Sequence, residues 1–92
     1  MGKEVEFKNR DRFIQLGIAI ATIRKIRGMN QQELADEAGI SRTHLSKIEA
    51  TGTASRFTLD VFFNIADALE VDPAELIRAS MVPDSVMKMK KE

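Results

Sequence analysis

The sequence contains no cysteine, tryptophan or tyrosine, and only one histidine among its 92 residues. Without cysteine there can be no disulfide, no thiolate metal ligand and no thiol nucleophile, which fits a reducing compartment. The single histidine, His44, has no second histidine or cysteine with which to share a metal, so we expect no metal site. The sequence also lacks a glycine-rich phosphate loop, and we expect no cofactor.

Long apolar runs and an excess of charge of one sign are also missing. The longest uncharged segment, residues 13–23, is about half the length of a membrane span, so we expect no membrane contact. The N-terminus is charged where a signal peptide needs an apolar stretch, which favours a cytoplasmic protein. Fourteen basic and fourteen acidic residues cancel. Bases are concentrated in residues 8–27 and acids in residues 60–75, a pattern compatible with one phosphate-facing surface or with solvated charges that have no partner.

Apolar residues recur at intervals of three and four along most of the chain, and this spacing predicts helices and no strand. The fold class is therefore all-α, with five helices. Residues 1–8 are predicted to form an N-terminal arm, residues 9–82 the domain, and residues 83–92 a polar tail. Glycine at positions 28 and 39 is expected to end the first two helices. The expected N-caps of the five helices are Asn9, Asn30, Ser41, Thr58 and Asp72.

The segment "NQQELADEAGISRTHLSKIEA", residues 30–50, places two very short helices around Gly39. Neither would be stable alone, since isolated helices below about 12 residues are marginal in water. The second helix has apolar positions at Leu45 and Ile48, and its other side is polar. This arrangement is typical of a helix-turn-helix motif, in which the second helix is held against DNA.

Residues 17–77 resemble the phage Cro and repressor (Xre-type) helix-turn-helix family. The resemblance is carried by Ile20, Ile23 and Arg24, then by "QQELADEAGIS", "LSKIE" and "TLDVFFNIADALEVDPAEL". It implies a five-helix lambda-repressor-like domain that binds double-stranded DNA, usually as a homodimer on a palindromic operator. One departure concerns the loop after "IE", which is Arg-Gly-rich in many members but here reads "ATGTASRF", with Arg56 as its only base.

The resemblance and the side-chain chemistry together predict the DNA contacts. Arginine and lysine suit guanine O6 and N7, and a threonine methyl suits thymine. The alternative is a solvated polar face without a ligand. The predicted base-reading residues are Arg42, Thr43, His44 and Lys47, and the predicted phosphate contacts are Asn30, Gln31, Ser41, Ser46 and Arg56.

Two further sets of residues have predicted structural roles. Arg24 and Glu49 match positions that pair across the first and third helices in relatives, so we expect a structural ion pair. The predicted dimer interface comprises Leu76, Ile77 and Met81. A second apolar stripe on the first helix, Ile14, Ile18 and Ala21, is an alternative interface unless it packs within one chain.

The function predicted from these observations is a sequence-specific transcriptional regulator of the repressor kind, located in the cytoplasm with the nucleoid. One alternative is a restriction–modification controller. Another is an antitoxin that acts mainly through protein contact, so a toxin or polymerase is a possible protein partner. An enzyme is disfavoured, because the adjacent acids Asp36 and Glu37 have no partner that would make them catalytic.

Overall fold

The computed structural model describes residues 8–81, and helices occupy most of this range. Helix α1 covers Arg10–Ile26, α2 covers Gln31–Ala38, α3 covers Arg42–Glu49 and α4 covers Leu59–Leu69. Helix α5 covers residues 73–81, where the described residues end. No strand occurs within residues 8–81, and the predicted all-α, five-helix fold is confirmed. The tail at 83–92 and all of the arm except Lys8 lie outside the described residues, so those boundaries stay predictions.

Side-chain caps explain where four of the helices begin. The Asn30 side chain accepts a hydrogen bond from the Glu33 amide, and the Glu33 carboxylate accepts one from the Asn30 amide, each at 2.8 Å. This reciprocal pair is a capping box, which satisfies two amides that the helix leaves unpaired. The Ser41 and Thr58 side chains each accept a hydrogen bond from a backbone amide in the first turn of α3 and α4. The Asp72 side chain accepts one from a backbone amide at the start of α5.

The first helix departs from the predicted pattern at its start. Asn9 precedes α1, but its side chain accepts no capping hydrogen bond from the helix. Its Oδ1 instead accepts a hydrogen bond from Nη1 of Arg12 at 2.8 Å. The prediction that the Asn9 side chain caps α1 was therefore wrong, because the backbone of Asn9, with φ −100° and ψ 22°, lacks the extended conformation of a capping residue.

Glycine allows the chain to turn between the helices of the motif. Gly39 follows α2 with a φ of 74°, in the left-handed region that side-chain-bearing residues rarely adopt. Its amide bonds back to carbonyls of the last turn of α2, and Ile40 then packs against the core. The turn therefore fixes the angle at which α3 leaves α2.

A core of leucine, isoleucine and alanine side chains joins all five helices. Its largest fully buried members are Ile20, Leu34, Leu45, Ile65, Leu69 and Leu76. Burying one such side chain stabilises a fold by about 1.5–3 kcal/mol relative to leaving it exposed. Because α2 and α3 each contribute to this core, two helices of eight residues are stable here although neither would be alone.

Leu76 was predicted to lie in the dimer interface, and the structure corrects this. Its side chain is 0% exposed and belongs to the core, so it has no surface to offer a second chain. The next residue on α5, Ile77, is 44% exposed, and Met81 is 55% exposed. Helix α5 therefore buries one side against the domain and leaves these two apolar side chains in solvent.

Helices α1 and α3 approach each other so closely that only glycine fits at one position. A Cβ atom built on Gly17 would collide with the backbone carbonyl oxygen of Ile48. Backbone atoms cannot rotate away as a flexible side chain can, so the two helices would have to move apart. Gly17 therefore sets the distance between the helix that supports α3 and α3 itself.

We predict that Gly17→Ala lowers the free energy of unfolding by about 1–3 kcal/mol, the usual cost of overpacking. Alanine is better than glycine inside a helix by about 0.8–1.0 kcal/mol, so a net loss can come only from the collision. Urea denaturation followed by circular dichroism measures the difference. Gly52→Ala is the matched control, because a Cβ there meets nothing within 4 Å. A Gly17→Ala protein as stable as the control would contradict the prediction.

Candidate nucleic-acid interface

Helix α3 presents a continuous row of polar side chains to solvent. Successive helical residues are about 100° apart, so the row spans about 140° of the helix circumference. The other side of α3 is anchored in the core by Leu45 and Ile48, which are 0% and 2% exposed. The exposed row, named the outward row below, consists of Arg42, Thr43, Ser46 and Lys47.

Two predicted contact residues, His44 and Ser46, differ in their position relative to the outward row. His44, predicted to read bases, is half-buried and lies at the margin of the outward row, beside Ile48. Ser46, predicted to contact phosphate, lies inside the row, one turn after Arg42. The exposure of Ser46 agrees with the polar side predicted for this helix, and the phosphate contact of Ser46 and the base contact of His44 stay predictions.

A buried ion pair attaches the end of α3 to α1. Arg24 donates from Nε to Oε2 of Glu49 at 2.8 Å and from Nη2 to Oε1 at 2.9 Å. Its Nη1 donates to the carbonyl of Met29 in the turn between α1 and α2 at 2.8 Å. The two charged side chains are only 10% and 5% exposed. This is the bidentate geometry in which a guanidinium and a carboxylate interact most strongly.

The surroundings of Arg24 favour its charged form. Hydrogen bonding to Glu49 raises the pKa of Arg24, burial opposes this, and the charge of Glu49 adds to the rise. A basic group whose pKa is raised by folding stabilises the fold at every pH below its ordinary pKa. This stabilisation is lost only as the pH rises through the raised pKa. For an arginine that loss lies in strongly alkaline solution, so Arg24 stays charged throughout the neutral range.

Gln31, the first residue of α2, joins the same group of side chains. Its Nε2 donates to Oε1 of Glu49 at 2.9 Å, and Gln31 itself is half-buried. A glutamine amide carries two N–H donors, so one remains for an external acceptor. The resulting network of Arg24, Gln31 and Glu49 connects α1 and α2 to the last residue of α3, and it is called the brace below.

The other predicted phosphate contacts lie around α3. Asn30 and Ser41 are exposed at the N-terminal ends of α2 and α3, and Arg56 is exposed in the loop after α3. The oxygens of Asn30 and Ser41 already accept capping hydrogen bonds. Each side chain still carries a donor, the amide NH2 of Asn30 and the hydroxyl hydrogen of Ser41, and phosphate requires donors.

Two acidic side chains lie together in a different part of the domain. A shallow cleft between α2 and α4 is lined by Glu37, Asn64, Asp67 and Ala68. Two carboxylates in one cleft repel phosphate, whereas the outward row carries two positive side chains and no acid. The acidic segment noted in the sequence thus contributes to a surface other than the outward row.

The arrangement has the geometry of a DNA-binding helix-turn-helix protein. A short helix is capped, turned by a left-handed glycine and backed by the core, and it presents only hydrogen-bonding side chains to solvent. Within residues 8–81 no three histidine or acidic side chains are grouped so that they could hold a metal ion.

Family comparison agrees with this class. Residues 20–76, more than half of the chain, match the Helix-turn-helix family model HTH_3, which is of the Cro/C1 type. The chain therefore belongs to this family. It is a DNA-binding transcriptional regulator, and the resemblance inferred from the sequence is confirmed.

Solved structures with the same fold include other regulators. The restriction–modification controller C.AhdI from Aeromonas hydrophila is 25% identical, with a TM-score of 0.64 over 70% of this chain and 94% of that one. C.Esp1396I, in a structure bound to a 19-base-pair DNA duplex, is 26% identical, with a TM-score of 0.68 over 76% and 91%. ClgR from Corynebacterium glutamicum, at 20% identity and a TM-score of 0.76 over 87% and 83%, shows the fold alone.

A search of curated protein sequences found no match. Between residues 8 and 81, no helix has the length and apolar composition needed to cross a bilayer.

We predict that Glu49→Ala lowers the free energy of unfolding by about 3–5 kcal/mol, because it leaves Arg24 charged and buried without its carboxylate. Gln31→Ala should cost about 0.5–1.5 kcal/mol, the net value of one hydrogen bond. Glu75→Ala is the control, since its ion pair with Arg78 is exposed and 3.6 Å long. Urea denaturation ranks the three variants. Equal losses for Glu49→Ala and Glu75→Ala would mean that the brace does not support the fold.

Proposed function

We propose that this protein is a sequence-specific repressor that binds a palindromic operator as a homodimer and reads bases with the outward row of α3. The observation that carries the proposal is the geometry of that row. Four polar side chains face solvent together, on a helix whose opposite side is in the core and whose last residue is held by the brace. Such support suits recognition, since base contacts require side chains held in a defined position.

The dimensions of DNA fit this placement of α3. The major groove of B-DNA is about 12 Å wide and admits one α-helix, and its base edges carry the pattern that distinguishes all four base pairs. Arg42 and Lys47 supply donors for guanine, Thr43 supplies a methyl for thymine, and Ser46 can donate or accept. His44, at the margin of the row, would contact the groove wall.

Phosphate contacts on either side would fix the register of α3 in the groove. Gln31 and Asn30 begin α2, and Ser41 begins α3, so each lies at a positive helix end that favours anions. The brace adds a specific role for Gln31. One amide N–H is engaged by Glu49, which orients the side chain, and the other would donate to a phosphate oxygen.

A restriction–modification controller is the second candidate. It is favoured by the similarity to C.AhdI and C.Esp1396I, two controllers about a quarter identical to this chain. Both candidates use the same DNA-binding face and differ in the genes that they control. Either function places the protein with the nucleoid in the cytoplasm, and contact with polymerase, or with a toxin in the antitoxin alternative, would be made by surfaces other than the outward row.

We predict that Arg42→Ala and Lys47→Ala each weaken binding to the best operator by about 1–3 kcal/mol and relax the preference at one base position. The operator is first selected from a random oligonucleotide pool, and affinities are then measured on single-base variants of it. Gln31→Ala is the comparison variant. Because a phosphate contact carries no sequence information, it should weaken good and poor sites alike.

The selection also tests the symmetry of the proposed site. A homodimer should enrich a two-fold symmetric sequence. No enriched sequence at low salt would exclude sequence-specific recognition. Uniform losses on every sequence for all three variants would show that α3 does not read bases.

A dimer requires a second surface outside the helix-turn-helix motif. Two half-sites one helical turn apart need two copies of α3 about 34 Å apart. On α5, Ile77 and Met81 are exposed and one turn apart, and the exposed side chains of Leu59 and Phe63 have the same spacing on α4. We propose Ile77 and Met81 as the centre of the interface, without Leu76. The alternative stripe on α1 exposes less apolar surface, since Ile18 is 38% exposed and its neighbours in the stripe are half-buried.

We predict that Ile77→Asp reduces the solution mass from that of a dimer to that of a monomer, because it places a charge in the centre of an apolar contact. Light scattering after size exclusion measures the mass, and circular dichroism verifies that the variant is folded. Ile18→Asp is the matched substitution on the alternative surface and should stay dimeric. A dimeric Ile77→Asp together with a folded, monomeric Ile18→Asp would place the interface on α1.

A further inference from the structure

The first turn of α1 and the two residues before it carry positive charge that the helix-turn-helix motif does not use. Lys8 and Arg12 are exposed, and Arg10 is paired with its neighbour Asp11 at 3.0 Å. The side chain of Arg12 is oriented by Asn9, whose Oδ1 accepts from its Nη1 at 2.8 Å. Asn9 thus holds a surface guanidinium instead of capping the helix. Lys8 and Arg12 are called the basic turn below.

Two contacts place the basic turn beside the C-terminal end of α3. Gly17 touches the Ile48 carbonyl, so α1 crosses α3 near its last turn. Arg12 is then about 7.5 Å further along the axis of α1, at 1.5 Å per residue, and Lys8 lies in the turn that precedes the helix. The ring of Phe13 packs edge-on against that of Phe57, with 5.1 Å between the ring centres. The basic turn therefore lies alongside the loop that follows α3.

The loop after α3 carries little positive charge, although it would lie next to the phosphates of bound DNA. When α3 occupies the major groove, the phosphates that border the groove pass next to the residues following the helix. Residues 50–58 offer them a single base, Arg56. Arg56 precedes Phe57, and Arg12 precedes Phe13, so the contact between the two rings brings together the two chain segments that carry these arginines.

We propose that Lys8 and Arg12, together with Arg56, form a phosphate-binding surface that contacts the duplex outside the base pairs read by α3. The proposal rests on the proposed function, since it assumes that α3 lies in the major groove. The basic turn supplies from α1 the positive charge that the loop after α3 lacks. Its contribution is independent of sequence and depends on salt, because neutralising phosphates releases bound counterions.

The test compares three proteins on the selected operator. They are the wild type, the double variant Lys8→Ala/Arg12→Ala, and the single variant Arg78→Ala, which removes an exposed charge from α5. Fluorescence anisotropy at several salt concentrations gives the slope of log K against log [salt]. Each phosphate contact contributes about 0.9 to this slope, so the double variant should lose about 2 per protomer. Arg78→Ala should keep the wild-type slope.

Duplex length provides the second readout. On a duplex trimmed to the base pairs read by α3, the basic turn has no phosphates to contact, so wild type and double variant should bind equally. Both variants are expected to keep the wild-type circular dichroism spectrum, and the charge reversal Lys8→Glu/Arg12→Glu should enlarge the loss on the long duplex. A double variant with the wild-type slope on the long duplex would overturn the proposal. A wild type that selects no sequence would instead overturn the proposed function.

Discussion

The bidentate ion pair between Arg24 and Glu49 is the interaction on which the placement of α3 depends. Helix α3 has only eight residues and could not persist alone, and Glu49 is its last residue. Two hydrogen bonds of 2.8 and 2.9 Å attach that residue to α1, and a third, from Gln31, attaches it to α2. Because the pair is buried, removing one partner would leave an uncompensated charge in the interior, which is far more costly than loss of a surface contact. The position of α3 is therefore set at its C-terminal end by electrostatics.

The remaining constraints on α3 come from packing and from the backbone. The left-handed turn at Gly39 sets the angle at which α3 begins, and Ser41 caps its first turn. Leu45 and Ile48 hold its inner side in the core, while Gly17 allows α1 to approach to backbone contact. Each constraint acts on a different side or end of the helix. Together they leave the outward row as the part of α3 that is free to meet a ligand, which is the preorganisation that recognition of base edges requires.

Most local features could be predicted from residue types, the Arg24–Glu49 pair could be predicted only through the family resemblance, and the packing of the helices could not be predicted. The caps at Asn30 and Ser41 and the turn at Gly39 follow from chemistry within a few residues of each position. The failure at Asn9 is also local, because the Arg12 side chain three residues further on donates to the Asn9 oxygen, and residue type alone does not show this. Leu76 was misplaced because one buried and one exposed apolar residue are adjacent in α5, and periodicity alone does not show which of them faces the core. The collision point at Gly17 depends on where α3 lies, and no spacing in α1 reveals it.

A crystal structure of the protein bound to its selected operator is the most direct test of the claim that the brace holds the outward row for base recognition. The account predicts α3 in the major groove, with side chains among Arg42, Thr43, Ser46 and Lys47 at hydrogen-bonding distances of about 2.7–3.2 Å or in apolar contact with base edges. It also predicts that the bonds among Arg24, Gln31 and Glu49 are preserved in the complex. DNA bound to another surface, or α3 in the groove with the Arg24–Glu49 pair broken, would contradict it.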